Sequence, residues 1–207
     1  GIPTQMVEGR RITDKDTVDI ITMVYGGLIN KRIVSQLQAR NCNALGFSGA
    51  DGNTILSEKR PVTDIDYGFV GDVKQVNASF IDVLLQNGIT PVFCAITHDK
   101  KGQLLNTNAD TVASEVAIAM SQFYETSLYY CFEKQGVLRS IEDENSVITD
   151  INSATYETLL NEKIIADGMI PKMKNCFHAL QHQVHKVCIG NPQMIQKNNT
   201  LFTTLTL

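Results

Sequence analysis

Short apolar runs alternate with stretches of helical periodicity along this whole chain, and that alternation limits the fold most. Residues 43–48, 90–96, 127–132 and 186–189 are near-continuously apolar and read as buried strands. Between them lie helical stripes. Val18, Ile21, Val24, Tyr25 and Leu28 recur at helical spacing after Thr13-Asp14, a capping pair, and Ile33, Val34 and Leu37 extend the stripe. Residues 78–86 form a short amphipathic helix closed by Asn87-Gly88. Val112, Ala113, Val116, Ala117 and Met120 stripe a helix that begins at Asp110. Residues 154–161 are helical, and Met173, Phe177, Leu180 and Val184 stripe a later helix. Further strands are expected at 54–58 and 67–73, with a short hairpin before Thr13. Apolar strands alternating with helices predict an α/β fold around a mainly parallel sheet covered on both faces. Gly26-Gly27 interrupts the first helix, which predicts a close approach of another backbone, within the fold or across a dimer.

Composition narrows the function. The 207 residues suit one domain, two at most, with a core that needs no disulfides or structural metal. An apolar fraction of 43% with 19% charged residues is globular and not disordered. Lys and Arg number 18 against 22 Asp and Glu, a net charge of −4, which lacks the basic footprint of a nucleic-acid binder. The apolar runs are too short to span a bilayer and no secretory segment opens the chain, so a cytoplasmic protein without a membrane partner is expected. The five cysteines are odd in number and form no Cys-x-x-Cys. Cys94 and Cys131 fall in strand-like runs, so buried reduced thiols are expected. The chain opens on Gly1, which reads as a fragment or a processed product.

Four groups could carry chemistry. Leu105-Asn106-Thr107-Asn108-Ala109-Asp110 clusters two Asn and an Asp where a strand ends and a helix begins. In an open α/β sheet that edge binds ligands, and a helix N-terminus can hold an anion. Plain capping by Asp110, with the Asn residues making the turn, accounts for the same residues. The second group is Ala166-Asp167-Gly168-Met169-Ile170-Pro171-Lys172. A lysine at a helix start opposes the helix dipole, which makes sense if an anion lies between them; a solvated lysine is the commoner case. Arg10-Arg11, after Glu8-Gly9, offers two guanidiniums suited to a planar carboxylate, although a solvated turn is the reading the sequence alone favours. His178, His182 and His185 have metal-ligand spacing near Cys176, but they lie opposite the apolar stripe, so a solvated face and no metal site are expected. Walker-type and Gly-x-Gly-x-x-Gly loops do not occur in the chain.

An ordered set of segments carries a resemblance. It runs Gly9-Arg10-Arg11-Ile12-Thr13-Asp14, Gly27-Leu28-Ile29-Asn30-Lys31, Leu45 to Gly52, Gly68 to Val73, Asn106 to Asp110, Gly136-Val137-Leu138 and Asp167 to Lys172. Taken together these resemble the amino acid kinase family, and within it the members that phosphorylate an N-acylated glutamate. The resemblance covers nearly the whole chain and implies a three-layer α/β/α sandwich around a mainly parallel sheet. It implies one domain over residues 1–207, with a substrate-side lobe of about 1–109 and a nucleotide-side lobe of about 110–207. The implied reaction moves the γ-phosphoryl of ATP to the side-chain carboxylate of N-acetyl- or N-succinyl-L-glutamate, a step of arginine biosynthesis. Lys172 then matches the lysine that stabilises the transferring phosphoryl, and Asp110 the aspartate that orients the catalytic lysines. Arg11 and Asn106 match the grip on the substrate α-carboxylate. Glu133, Lys134, Gly136, Val137, Leu138, Ile165, Gly168 and Met169 match the nucleotide side. Mg²⁺ would be held through the ATP phosphates and water, and a homodimer is implied through the helix from about Asp14 to Arg40.

The chain also departs from the family pattern. The strand with a catalytic lysine and two glycines, and the second Gly-rich loop, do not occur in it, so the fold is expected to be N-terminally incomplete and this chain inactive by itself. Cys131-Phe132-Glu133 stands where Thr-Asp is usual, with Glu133 able to accept from a ribose. Asn199-Thr200 and Thr203-Thr204 stand near the usual Gly-Thr. A divergent branch is therefore expected. The alternatives are a non-catalytic member that binds an amino acid or nucleotide as a regulatory subunit, or another amino acid kinase.

Overall fold

A computed structural model describes residues 6–7, 10–166, 168–196 and 201–207 of the chain. Its contacts divide into two compact units, Gly1–Val112 and Ala113–Leu207.

In chain order the first unit carries β1 (Met6–Val7), β2 (Arg10–Arg11), α1 (Lys15–Ile21), α2 (Asn30–Gln38), β3 (Ala44–Phe47), β4 (Ile55–Lys59), β5 (Gly71–Val76), α3 (Ala78–Gln86), β6 (Thr90–Phe93), β7 (Ile96–His98) and β8 (Leu104–Asn106), and it ends in the first turn of α4 (Ala109–Met120). The expected hairpin is present: β1 pairs antiparallel with β2. Asp14 caps α1, its carboxylate accepting from the Thr17 N–H at 2.7 Å. Val18 and Ile21 are buried and pack on Ile96 of β7.

The helical stripe does not continue as expected. Residues Thr22–Ile29 wind as a π-helix and bury nothing, so Val24, Tyr25 and Leu28 leave the core face. A π-helix closes its hydrogen bonds one residue wider than an α-helix and rotates later residues out of phase. Ile33, back in α2, is 45% exposed. Gly26 and Gly27 lie in this segment. A Cβ on Gly27 would meet no described atom within 4 Å, and one on Gly26 only the Cys94 Sγ at 3.8 Å, so the expected backbone approach is not made among the described residues.

Two small sheets build this unit. β3 pairs parallel with β6. The other has the order β5-β4-β7-β8, in which β4 and β7 are parallel and the two outer pairings antiparallel. The run 90–96, expected as one strand, belongs to both sheets. It leaves β3 after the Cys94 N–H donates to the Phe47 carbonyl at 2.9 Å and re-enters as β7. Gly49 makes the switch possible. A Cβ there would sit 2.7 Å from the Ile55 carbonyl oxygen and 3.0 Å from the Thr97 Cα. α3 spans Ala78–Gln86 as the sequence predicts, capped by Asn77 and closed by Gly88 at φ +68°.

The second unit continues α4 and carries β9 (Ser127–Cys131), β10 (Asp150–Ile151), α5 (Ser153–Asn161), α6 (Met169–Gln181), β11 (Lys186–Gly190) and β12 (Thr203–Leu205). The sheet order is β10-β12-β11-β9, with β9 and β11 parallel. β11 is the buried strand expected. β9 is not. It lies at the sheet edge, and Leu128 and Tyr130 face the core while Tyr129 and Cys131 are exposed. Cys131 is therefore a surface thiol, contrary to expectation, whereas Cys176 and Cys188 are buried; none of the five cysteines is in a disulfide. Leu159, Met173, Phe177 and Val187 fill the core between the sheet and α5 and α6. The architecture is the α/β class the alternation predicts, with parallel and antiparallel pairings mixed in each four-stranded sheet.

Candidate active site

The sequence places Arg11 and Asn106 far apart, and the fold ties them to a single residue. Thr13 is fully buried. Its N–H donates to the Tyr67 carbonyl at 2.9 Å, and its carbonyl accepts from the Phe69 N–H at 2.7 Å. Between those partners Gly68 turns at φ +72°, where an added Cβ would lie 2.2 Å from the Thr13 carbonyl oxygen. Only glycine fits that approach. The Phe69 carbonyl then accepts from the Asn106 N–H at 2.8 Å. The Asn106 Nδ2 donates to the Thr13 Oγ1 at 3.0 Å, across 93 residues of sequence. Thr13, Phe69 and Asn106 thus form a closed ring of hydrogen bonds. Arg11 emerges two residues before it on β2, half-buried, and its guanidinium makes no hydrogen bond or ion pair among the described residues. A guanidinium is suited to hold a carboxylate.

The turn after Asn106 is equally built in. The Thr107 and Thr97 hydroxyls meet at 2.7 Å in the interior, and Gly71 leaves room for them. Asn108, and not Asp110, caps α4: its Oδ1 accepts from the Thr111 N–H at 3.0 Å. The capping role read for Asp110 belongs to Asn108, two residues earlier, and Asp110 sits inside the first turn of α4.

In the second unit, Lys172 lies in the first turns of α6, the position the sequence assigns it, with its Nζ 4.7 Å from the centre of the Tyr130 ring. Gly168 is the N-cap of α6 and offers no side-chain acceptor, and a Cβ on it would meet nothing within 4 Å. Met169 begins the helix, and Ile165 is buried in the core. Gly136 and Val137 are also buried, while Leu138 pairs with Val147. Thr203 pins this segment. Its hydroxyl accepts from the Val137 N–H at 2.8 Å and donates to the Ile148 carbonyl at 2.7 Å. A Cβ on Gly136 would lie 2.7 Å from that hydroxyl. Glu133 is exposed, and Lys134 is paired with Glu144 at 2.9 Å. That pairing raises the Lys134 pKa and lowers that of Glu144. The histidines are only partly the solvated face expected: His178 meets Glu115 at 3.1 Å and stacks on His182. Among the described residues no three His, Cys, Asp or Glu side chains could share a metal ion, and no helix is long and apolar enough to cross a membrane.

Sequence reasoning missed Thr13, Gly68 and Thr203. Thr13 is visible only as part of a helix cap, because the signal that identifies it is its partner on β8.

The model of the amino acid kinase family matches residues 1–191. The chain belongs to the amino acid kinase family. Within the family its sequence is similar to acetylglutamate kinase of Cytophaga hutchinsonii, 53% identical over 99% of this chain and 80% of that protein. It is 52% identical to acetylglutamate kinase of Bacteroides thetaiotaomicron over 96% of this chain and 77% of that one. Among solved structures, that of smu.665 from Streptococcus mutans superposes with a TM-score of 0.83 at 25% identity, over 99% of this chain and 78% of that chain.

Proposed function

We propose that this amino acid kinase transfers the γ-phosphoryl group of ATP to the side-chain carboxylate of N-acetyl-L-glutamate, forming an acyl phosphate in arginine biosynthesis. The observation that carries the reading is the 53% identity to an acetylglutamate kinase over 99% of this chain. The union of Arg11 and Asn106 at Thr13 supports it. Arg11 and Asn106 hold the α-carboxylate in the first unit. In the second, Glu133, Lys134, Gly136, Val137, Leu138, Ile165, Gly168 and Met169 serve the nucleotide. Val137 and Ile165 are buried and act there by shaping the backbone.

Phosphoryl transfer asks a protein for positioning and charge, not for a covalent intermediate. Lys172 supplies a cation at the start of a 13-residue helix whose N-cap has no side-chain acceptor, a place suited to phosphate oxygens. Asp110 orients the cationic groups around the phosphoryl. Mg²⁺ would be held through the ATP phosphates and water and would supply charge neutralisation there, since the ion keeps most of its water. The reading includes a cytoplasmic enzyme that dimerises through the helical stretch 15–38. That stretch leaves Met23 65% and Leu28 49% exposed beside Gly27.

The test is an ADP-coupled assay with N-acetylglutamate and N-succinylglutamate side by side. ADP release that depends on the acetylated substrate, with an acyl phosphate trapped by hydroxylamine, is the expected result. Preference for the succinylated substrate would move the chain to another acyl specificity. Nucleotide and acetylglutamate binding without turnover would favour a regulatory protein.

A further inference from the structure

We propose that Thr13 is a positioning residue for the acylated glutamate, its hydroxyl deciding which edge of the Asn106 amide meets the substrate. This rests on the reading of Arg11 and Asn106 as the carboxylate grip.

A threonine hydroxyl has one proton to donate and lone pairs to accept with. Among the described residues the Thr13 Oγ1 has two hydrogen-bond partners, the Arg11 carbonyl at 3.4 Å and the Asn106 Nδ2 at 3.0 Å. A carbonyl can only accept, so the hydroxyl proton points to Arg11. The hydroxyl must then accept from Asn106, which requires the nitrogen of the amide and not its oxygen. The two ends of an asparagine amide are nearly the same size, and only such a partner keeps the group from turning over. With one N–H spent on Thr13, the amide keeps its second N–H and its carbonyl oxygen for the substrate.

Thr13 is itself unable to shift. Both of its backbone groups are bonded, to Tyr67 and Phe69, its side chain is fully buried, and Gly68 packs against its carbonyl. The same residue joins the two parts of the grip. Its proton goes to the backbone of Arg11 and its lone pair receives Asn106, so the hairpin and the β8–α4 turn share one oxygen atom.

The experiment compares Thr13→Val, Thr13→Ser and Asn106→Ala in the full chain, with KM measured for N-acetylglutamate and for ATP. Loss of one neutral hydrogen bond that orients a binding group predicts a rise of about fivefold in the KM for N-acetylglutamate in Thr13→Val, with the ATP value unchanged. Thr13→Ser, which keeps the hydroxyl, should restore the wild-type value. In an Asn106→Ala background, Thr13→Val should change the KM no further, because the residue acts through Asn106. An unchanged KM in Thr13→Val, an equal rise in both KM values, or an equal effect with and without Asn106 would each overturn the proposal. If Thr13→Val does not fold, Thr13→Ala lacks the same hydroxyl and carries the same expectation. A normal KM for N-acetylglutamate in Asn106→Ala would instead remove the carboxylate grip itself, an outcome distinct from failure at Thr13.

Discussion

Arg11 and Lys172 are both cations, and the reading assigns them different jobs. A guanidinium can hold a carboxylate through two parallel hydrogen bonds, whereas an ammonium acts as a point charge. Arg11→Lys should therefore raise the KM for N-acetylglutamate at least tenfold, since a charge-assisted bond contributes about 1.5–3 kcal/mol. The KM for ATP should stay constant, and steady-state kinetics with each substrate varied would show it. Lys172 acts on charge that builds up during transfer. Lys172→Ala should lower turnover by about 10²–10³-fold while N-acetylglutamate still binds, because groups aimed at developing charge contribute mainly to the rate. Near-normal turnover would remove Lys172 from the mechanism. Both residues are legible in the sequence as cations in suggestive places. Thr13 is not, because a hydroxyl beside an aspartate reads as a helix cap until its partner on another strand is known.

Single elements show where local signals suffice. α3 follows from Asn77 at its start, Asn87-Gly88 at its end and three buried apolar residues between, all of them local. α1 depends on Asp14. Hydrogen bonds from Thr17, first from its side chain and then from its backbone N–H, hold the Asp14 carboxyl below the ordinary aspartate value. A lowered folded pKa means that this stabilisation is present above the ordinary value and is lost as the pH falls through the folded one. Acid titration followed by circular dichroism should show α1 weakening at the lowest pH. In Asp14→Asn, which caps without a charge, that part of the pH dependence should vanish; the same acid profile in the variant would contradict the cap. The π-helical stretch Thr22–Ile29 carries no local mark of this kind. Its apolar residues fit an α-helical stripe on paper, and the wider winding turns them outward.

On the scale of the molecule, that outward turn leaves Met23, Leu28 and Ile33 on the surface of one helical stretch. Exposed apolar residues along one element are suited to a symmetric contact with a second copy. Light scattering at micromolar concentration should give the mass of a dimer, and Leu28→Glu, which puts a charge on that surface, should shift it towards the monomer. An unaltered mass in Leu28→Glu would place any dimer contact elsewhere.

The sequence alone determined the α/β class, the extent of α3 and, to within one residue, those of α5 and β11, and the motif order of the kinase family, because periodicity and capping are properties of neighbouring residues. It also held Arg11 and Asn106 without showing that both bond to Thr13. Only the tertiary structure decided that run 90–96 divides between two sheets, since both halves are equally apolar and the break depends on how closely Gly49 lets Ile55 and Thr97 approach. It alone exposed Cys131, because β9 lies at a sheet edge and sheet order is not written in any one strand. It alone joined Asn106 to Thr13 and Thr203 to Val137. Such bonds link residues far apart in the chain, and their geometry exists only after the backbone between them has folded.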